Sequence, residues 1–251
     1  VLFRSGLRIT SASDDAAGLA IADLLRRDSR IAGVAIRNAN DGVSLISIAD
    51  GALEQIGNVL ARMAELAEQS ANGTIADSQR TAISDEFVAL GSEIERIANS
   101  TEFNSLSLLG SATSTFTLQI GLDATSNSQI SFSSVSGTVE ALGIGNSSSQ
   151  LTVSVGTATG AQAALTSVRA AVSSLTANRG TLGAVESRLN TAIANLQTSR
   201  ENFISAESQI RDVDVASEAA ELTRLSILQQ AGAAILAQAN QQPGLALALI
   251  G

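Results

Sequence analysis

The chain has 251 residues; all fifteen of its basic residues are arginine, six phenylalanines are its only aromatics, and lysine, histidine, cysteine, tryptophan and tyrosine are absent. This removes the imidazole base, the thiolate nucleophile, the Cys/His zinc site and the Schiff-base or phosphate-loop lysine, leaving carboxylates, hydroxyls and arginine as an enzyme's whole kit. A net charge of −9, from 15 Arg against 24 Asp plus Glu, argues against a nucleic-acid partner, which needs clustered positive charge.

The chain opens on Val1 with no basic-then-apolar leader, which reads as a fragment edge. Hydrophobic residues make up 45 %, much of it alanine, and aromatics only 2 %, a composition for narrow Ala/Leu/Ile seams. From Ile46 such a seam runs through Ala49, Leu53, Ile56, Leu60, Met63 and Ala67, alternating steps of three and four as a coiled-coil-like helix does. Asn72-Gly73-Thr74 ends it: the glycine offers a left-handed exit, and Thr74 or Asp77 can cap the next helix. That helix carries Ile83, Phe87, Leu90, Ile94 and Ile97, and the short turn predicts an antiparallel pair.

Residues 111–160 are more than half Ser, Thr, Asn and Gly, with Asp123 and Glu140 the only charges. Phe116, Leu118 and Ile120 alternate with polar residues, as do Ile130 and Phe132, so a β-hairpin is expected across 121–129. Leu151, Val153 and Val155 suggest one more short strand, and the remainder reads as surface loop. From Leu165 the three-four alternation resumes and holds to Ile210, a rod of about 68 Å. Its seam carries Arg179, Glu186, Arg200 and Glu207 on one edge, predicted wet or salt-bridged, beside a dry edge of leucines. From Val213 to Asn240 apolar residues spread around much of a helix, with Leu222, Leu225, Leu228, Ile235 and Leu236 among them. A helix so broadly apolar needs other chains to cover it. The same holds for the uncharged 245–250 segment with Leu247 and Leu249, yet no run of roughly eighteen apolar residues occurs and no membrane insertion is expected.

The block Ser5-Gly6-Leu7-Arg8-Ile9-Thr10-Ser11-Ala12-Ser13-Asp14-Asp15-Ala16-Ala17-Gly18-Leu19-Ala20-Ile21-Ala22 closely resembles the N-terminal signature of bacterial flagellins. The resemblance continues through Arg37-Asn38-Ala39-Asn40-Asp41-Gly42, Glu65 to Thr74 and Phe103-Asn104. At the other end Gly183 to Leu189, Ile210-Arg211-Asp212-Val213-Asp214, Ile227 to Gly232 and Ala237 to Gln241 are similar to the C-terminal signature. It implies a mainly α fold: an elongated bundle of long coiled-coil-like helices from both chain ends, with a small β-hairpin region. The parts would be rod helices over 1–110, a hydroxyl-rich elaboration over 111–160, a rod helix over 161–212 and an inner-core helix with apolar tail over 213–251. Val1 to Arg4 departs from the small-residue step usual before the glycine, and the N-terminal inner-core helix is missing.

The resemblance further implies a structural subunit, exported unfolded and polymerised into a helical filament for swimming, extracellular and without a cofactor. Its implied partners are copies of itself, an export chaperone and export apparatus, and hook-junction and cap proteins. Some members are recognised by a Toll-like receptor; the matched positions are Arg62, Leu66 and Glu86, although Ala64 and Glu68 depart from the commonest pattern. Asp14-Asp15 reads as a helix cap in preference to a carboxylate pair, for want of His or Lys partners. Asn40-Asp41-Gly42 has too few oxygens for a calcium shell and reads as a turn or polar contact between subunits. Gln229-Gln230 reads as polar packing within an apolar core, and the hydroxyls of 111–160 as solvated loop ahead of glycan acceptors. Among rivals, a hook-junction protein usually carries a proline in the Asp-Asp motif, and a cytoplasmic signalling rod explains neither the insert nor the tail.

Overall fold

The computed structural model describes residues 5–111 and 114–250, with side chains to residue 240, so Val1 to Arg4 and the side chains of Leu247 and Leu249 lie outside the described residues. Helix α1, Ala16–Ala71, spans 56 residues without proline. Its buried face contains the Ile46-to-Ala67 seam and continues upstream in small side chains, Ala22, Ser29, Ala32, Ala35 and Ala39. That upstream half escapes a search for bulky apolar residues because alanine is as common off the seam as on it.

Helix α2, Asp77–Ser100, buries Ile83, Phe87, Gly91, Ile94 and Ala98. The turn between the helices differs from expectation. Gly73 is not left-handed, since the only positive-φ glycines among the described residues are Gly6 and Gly143. Asn72 shapes the turn instead, its side-chain carbonyl accepting the Thr74 N–H at 3.1 Å as an Asx turn. Ala76, not Thr74 or Asp77, stands at the N-cap, and its N–H is taken by Gln79 Oε1 at 3.2 Å. Arg80 ties the turn down: Nε donates to Ser70 O at 3.0 Å, Nη2 to Asn72 O at 2.9 Å and Nη1 to Asp77 at 3.1 Å.

Two antiparallel hairpins follow. Strands β1 (Glu102–Phe103) and β2 (Leu106–Ser107) close over Asn104 and Ser105, both left-handed at φ 49° and 63°, a primed two-residue turn made without glycine. Strands β3 (Thr115–Gln119) and β4 (Gln129–Ser133) pair Phe116 with Phe132 and Leu118 with Ile130. The two phenylalanine rings lie 5.4 Å apart on the inner face. Beyond the hairpin, Gly121 and Ile120 both donate to Ser128 O at 2.9 Å, and a Cβ on Gly121 would sit 2.6 Å from the Ser128 Cα. Only glycine allows that approach.

Residues 134–157 are not the surface loop expected. Val139, Leu142, Ile144 and Val155 are buried and belong to the main core. No strand forms over 151–155; a single bridge joins Leu151 to Gly145, and Leu151 packs over Gly91, where a Cβ would approach within 2.6 Å of it. A few apolar residues suffice to fold a hydroxyl-rich segment onto helices that present a long seam.

Helix α3, Ala158–Arg211, buries Val168, Leu175, Leu182, Leu189 and Leu196, one residue per heptad, with Ala161, Ala164 and Ala171 at its start. Helix α4 is Val215–Ile250. Backbone proximity divides the chain into two compact units, Ile31–Ser199 and the chain ends Val1–Arg30 with Arg200–Gly251. In the first, α1, α2 and α3 share one core with the hairpin residues Ile120, Ile130 and Phe132. Asn40-Asp41-Gly42 is no turn: it lies inside α1, where Asn40 donates to Ile36 O at 2.8 Å. Gly42 is buried there, and a Cβ on it would collide with Leu118 of the hairpin.

On the polar edge of the seam Arg179 grips Asp50 through Nε at 2.7 Å and Nη2 at 2.9 Å, and Nη2 reaches Glu54 at 3.5 Å. The Arg179 hydrogen bond holds the Asp50 carboxyl below its ordinary range despite partial burial. With 37 % and 36 % of the two side chains exposed, the pair contributes less than about 1 kcal/mol. A depressed carboxyl pKa gives stability that is present above about pH 4 and lost as pH falls through the folded value. Asp50→Asn should therefore lower the urea midpoint slightly at pH 7 and not at all once Asp50 is protonated in both states. An equal deficit at both pH values excludes the ion pair as its source.

Candidate assembly surface and helix junction

The two chain ends meet at the break between α3 and α4. Gly6 adopts φ +69°, a left-handed conformation that suits glycine, and its carbonyl accepts the Val213 N–H at 3.1 Å. Arg8 then satisfies two carbonyls at the end of α3: its N–H donates to Arg211 O and its Nη2 to Ile210 O, both at 2.7 Å. Ser208 Oγ donates to Asp212 Oδ2 at 2.6 Å. Asp214 caps α4, its Oδ1 accepting from Ala216 N at 2.9 Å and Ser217 N at 3.3 Å. The Arg211-Asp212-Val213-Asp214 run thus stops one helix and starts another.

The Asp14-Asp15 pair divides its work. Asp15 Oδ1 accepts from Ala17 N at 3.1 Å and Gly18 N at 2.9 Å, capping α1. Asp14 is not a helix cap. Its Oδ2 is taken by Thr10 N at 3.0 Å, Thr10 Oγ1 at 2.9 Å and Ser11 N at 3.0 Å, which binds the preceding loop. These bonds, the Thr10 backbone N–H foremost, hold its carboxyl below the ordinary range. Ile9, 2 % exposed, tucks against Gly18, where a Cβ would come within 2.8 Å of its methyl. Both carboxylates of the N-terminal block are thus engaged with nearby backbone N–H groups.

Helix α4 presents the opposite situation. Leu222, Leu225, Leu228, Ile235 and Leu236 are all more than half exposed, from 52 % at Leu225 to 68 % at Ile235. With Ile227, also more than half exposed, they lie around much of the helix, and nothing in its own unit covers them. Gln229 and Gln230 are exposed as well, so no core surrounds them within one chain. Burying such leucines is worth about 1 kcal/mol or more each, enough in sum to order a helix by association. No helix among the described residues is long and apolar enough to cross a membrane.

A second exposed feature joins α1 to α2. Arg62 donates to Glu86 at 2.9 Å and to Glu65 at 3.0 Å, and the two carboxylates raise its guanidinium above its ordinary value. Leu66, matched with them to the receptor contact by the resemblance, is 1 % exposed and belongs to the core. Its seam register, one turn below Met63, turns it inward. Sequence reasoning missed the Gly6–Arg8 tie to 210–213, because two segments so far apart in the chain carry no signal of contact.

Residues 3–114 match the bacterial flagellin N-terminal helical region and residues 165–250 the bacterial flagellin C-terminal helical region. The chain is 43 % identical over 246 residues to a flagellin of Halalkalibacterium halodurans, covering 98 % of itself and 88 % of that protein. Among solved structures it resembles Bacillus cereus flagellin, with 27 % identity and a TM-score of 0.55 over 64 % of this chain and 88 % of that one. A putative flagellar hook-associated protein from Vibrio parahaemolyticus aligns at a TM-score of 0.64 over 79 % of this chain and all of that one; at 12 % identity it shares the fold and nothing more is implied.

Asp15→Ala should cost about 1 kcal/mol and speed amide exchange in the first turn of α1. Asp14→Ala should instead speed exchange at Thr10 and Ser11 while the first turn of α1 stays protected. Identical exchange patterns in the two variants would contradict this division of labour.

Proposed function

The chain belongs to the bacterial flagellin family and is a structural subunit of the extracellular flagellar filament, not an enzyme, and we propose that copies bind one another through the apolar face of α4. Leu222, Leu225, Leu228, Ile235 and Leu236 would carry the contact, with Leu247 and Leu249 extending it. The observation behind this reading is the exposure of large apolar side chains around most of α4 in the single chain. Stacking through two different surfaces of each copy generates an open helical polymer in place of a closed ring. Assembly would then order α4, since a helix without tertiary partners has little stability of its own. The same weakness suits export in an unfolded state and capture by an export chaperone, and the shared helical ends suit joints with hook-junction and cap proteins.

The Arg62–Glu86 pair supports a second, separate reading, a contact for a host Toll-like receptor made without Leu66. Both side chains are about half exposed and bridge two helices at a defined geometry.

Leu228→Asp, alone and with Leu236→Asp, should abolish filaments in electron microscopy of seeded full-length protein, with the thermal unfolding of the monomer unchanged. Long filaments from the double variant would refute the α4 interface. In the wild-type monomer, amides of 222–236 should exchange much faster than those of 168–189. For the receptor, an Arg62→Ala, Glu86→Ala monomer should lose signalling in a reporter assay, and full signalling removes the second reading.

A further inference from the structure

Asn72-Gly73 is the only Asn-Gly step in the chain, and it lies in the exposed turn between α1 and α2, off both helices. Several features of that turn converge on one reaction. The Gly73 N–H makes no hydrogen bond among the described residues, so its nitrogen is not held by a helix. Asn72, Gly73 and Thr74 are all exposed and Gly73 has nothing within 4 Å of where a Cβ would be, so solvent base reaches the turn. The Asn72 side-chain amide nitrogen is likewise without a partner among the described residues, while its carbonyl oxygen accepts the Thr74 N–H at 3.1 Å. That bond polarises the side-chain carbonyl and sits where negative charge develops when the carbonyl is attacked.

We propose that Asn72 is a site of spontaneous deamidation in the folded protein, converting to aspartyl and isoaspartyl residues. The deprotonated Gly73 nitrogen attacks Asn72 Cγ, forming a nitrogen–carbon bond. The side-chain carbon–nitrogen bond breaks, and the leaving nitrogen takes a proton from water to depart as ammonia. Water then opens the five-membered imide at one of its two carbonyls, giving a carboxylic acid that ionises. No oxidant or cofactor is involved. In the isoaspartyl product the new carboxylate stands on the former Asn72 main-chain carbonyl carbon, the group that already accepts Arg80 Nη2 at 2.9 Å. A charge-assisted bond to Arg80 replaces a neutral one there. The change adds one negative charge per subunit to an exposed turn, and in a polymer that persists outside the cell such charges accumulate with age.

The chain holds an internal comparison. Asp41-Gly42 is the same kind of step, Asp-Gly forming the same imide by loss of water, but it is embedded in α1 with Gly42 buried, so its backbone cannot close the ring. The test is peptide mapping by mass spectrometry, with isoaspartate detection, after incubating the full chain at mildly alkaline pH both folded and in urea. Expected in the folded sample are conversion at Asn72, with the mass gain of an amide-to-acid exchange, and none at Asp41; in urea both sites should react. Gly73→Ala should slow conversion at Asn72 severalfold while unfolding as the parent does, because its open, ordinary backbone position accepts a methyl group. Conversion at Asn72 in urea but not in the folded protein overturns the proposal. So does a Gly73→Ala variant that converts as fast as the parent.

Discussion

The apolar seam of α1 between Leu45 and Ala67, met by Val168 to Leu189 of α3, is the constraint on which the unit Ile31–Ser199 depends. A seam of Leu, Ile, Met and Ala without bulky aromatics is narrow, so helices approach closely and their polar edges come within reach of each other. Arg179 with Asp50 is a consequence of that closeness, and its bidentate geometry favours one register of α3 on α1. Phe87 and Ile94 of α2 close the third side. The hairpin and the 134–157 segment then have one apolar surface available, and their few large side chains go there.

The chain ends follow a different logic. There, short-range hydrogen bonds do what side-chain packing does elsewhere: Gly6 and Arg8 satisfy the carbonyls and amides at the break between α3 and α4, and Asp15 and Asp214 cap the helices that begin nearby. These contacts place the ends of the helices but cover little of α4. A filament subunit has reason to be built this way. On the proposed α4 interface, a helix whose apolar residues other copies cover would be loosely held until it is incorporated, coupling order to assembly.

Much of this was legible in advance, and the gaps have physical causes. The seam from Ile46 to Ala67, the leucines of α3, its charged edge and the β3–β4 hairpin all rest on periodicity, which is a local property. The turn at 72–76 departs from expectation because glycine's freedom is a permission and not a requirement: Asn72 forms the turn with its side chain, and Gly73 stays in an ordinary conformation. Asn40-Asp41-Gly42 looked like a turn for the same reason, yet the glycine there makes room for Leu118 across the core. The family resemblance assigns Leu66 to the receptor patch, although its own position on the seam points inward.

The order of amino acids by itself determined the helical nature of both arms, the seam each turns inward, the family, and the absence of His, Lys and Cys chemistry, because each depends on composition or on near neighbours. What only the tertiary structure decided is who meets whom: Arg8 with Ile210, Arg179 with Asp50, the hydroxyl-rich segment with the core, and Asp14 with the loop before it instead of the helix after it. Such pairings depend on chain geometry over long separations, where no periodicity reports. The missing chemistries that first marked this chain as a poor enzyme leave a set of small and unreactive side chains suited to close stacking, with one spontaneous reaction left to it at an exposed Asn-Gly turn.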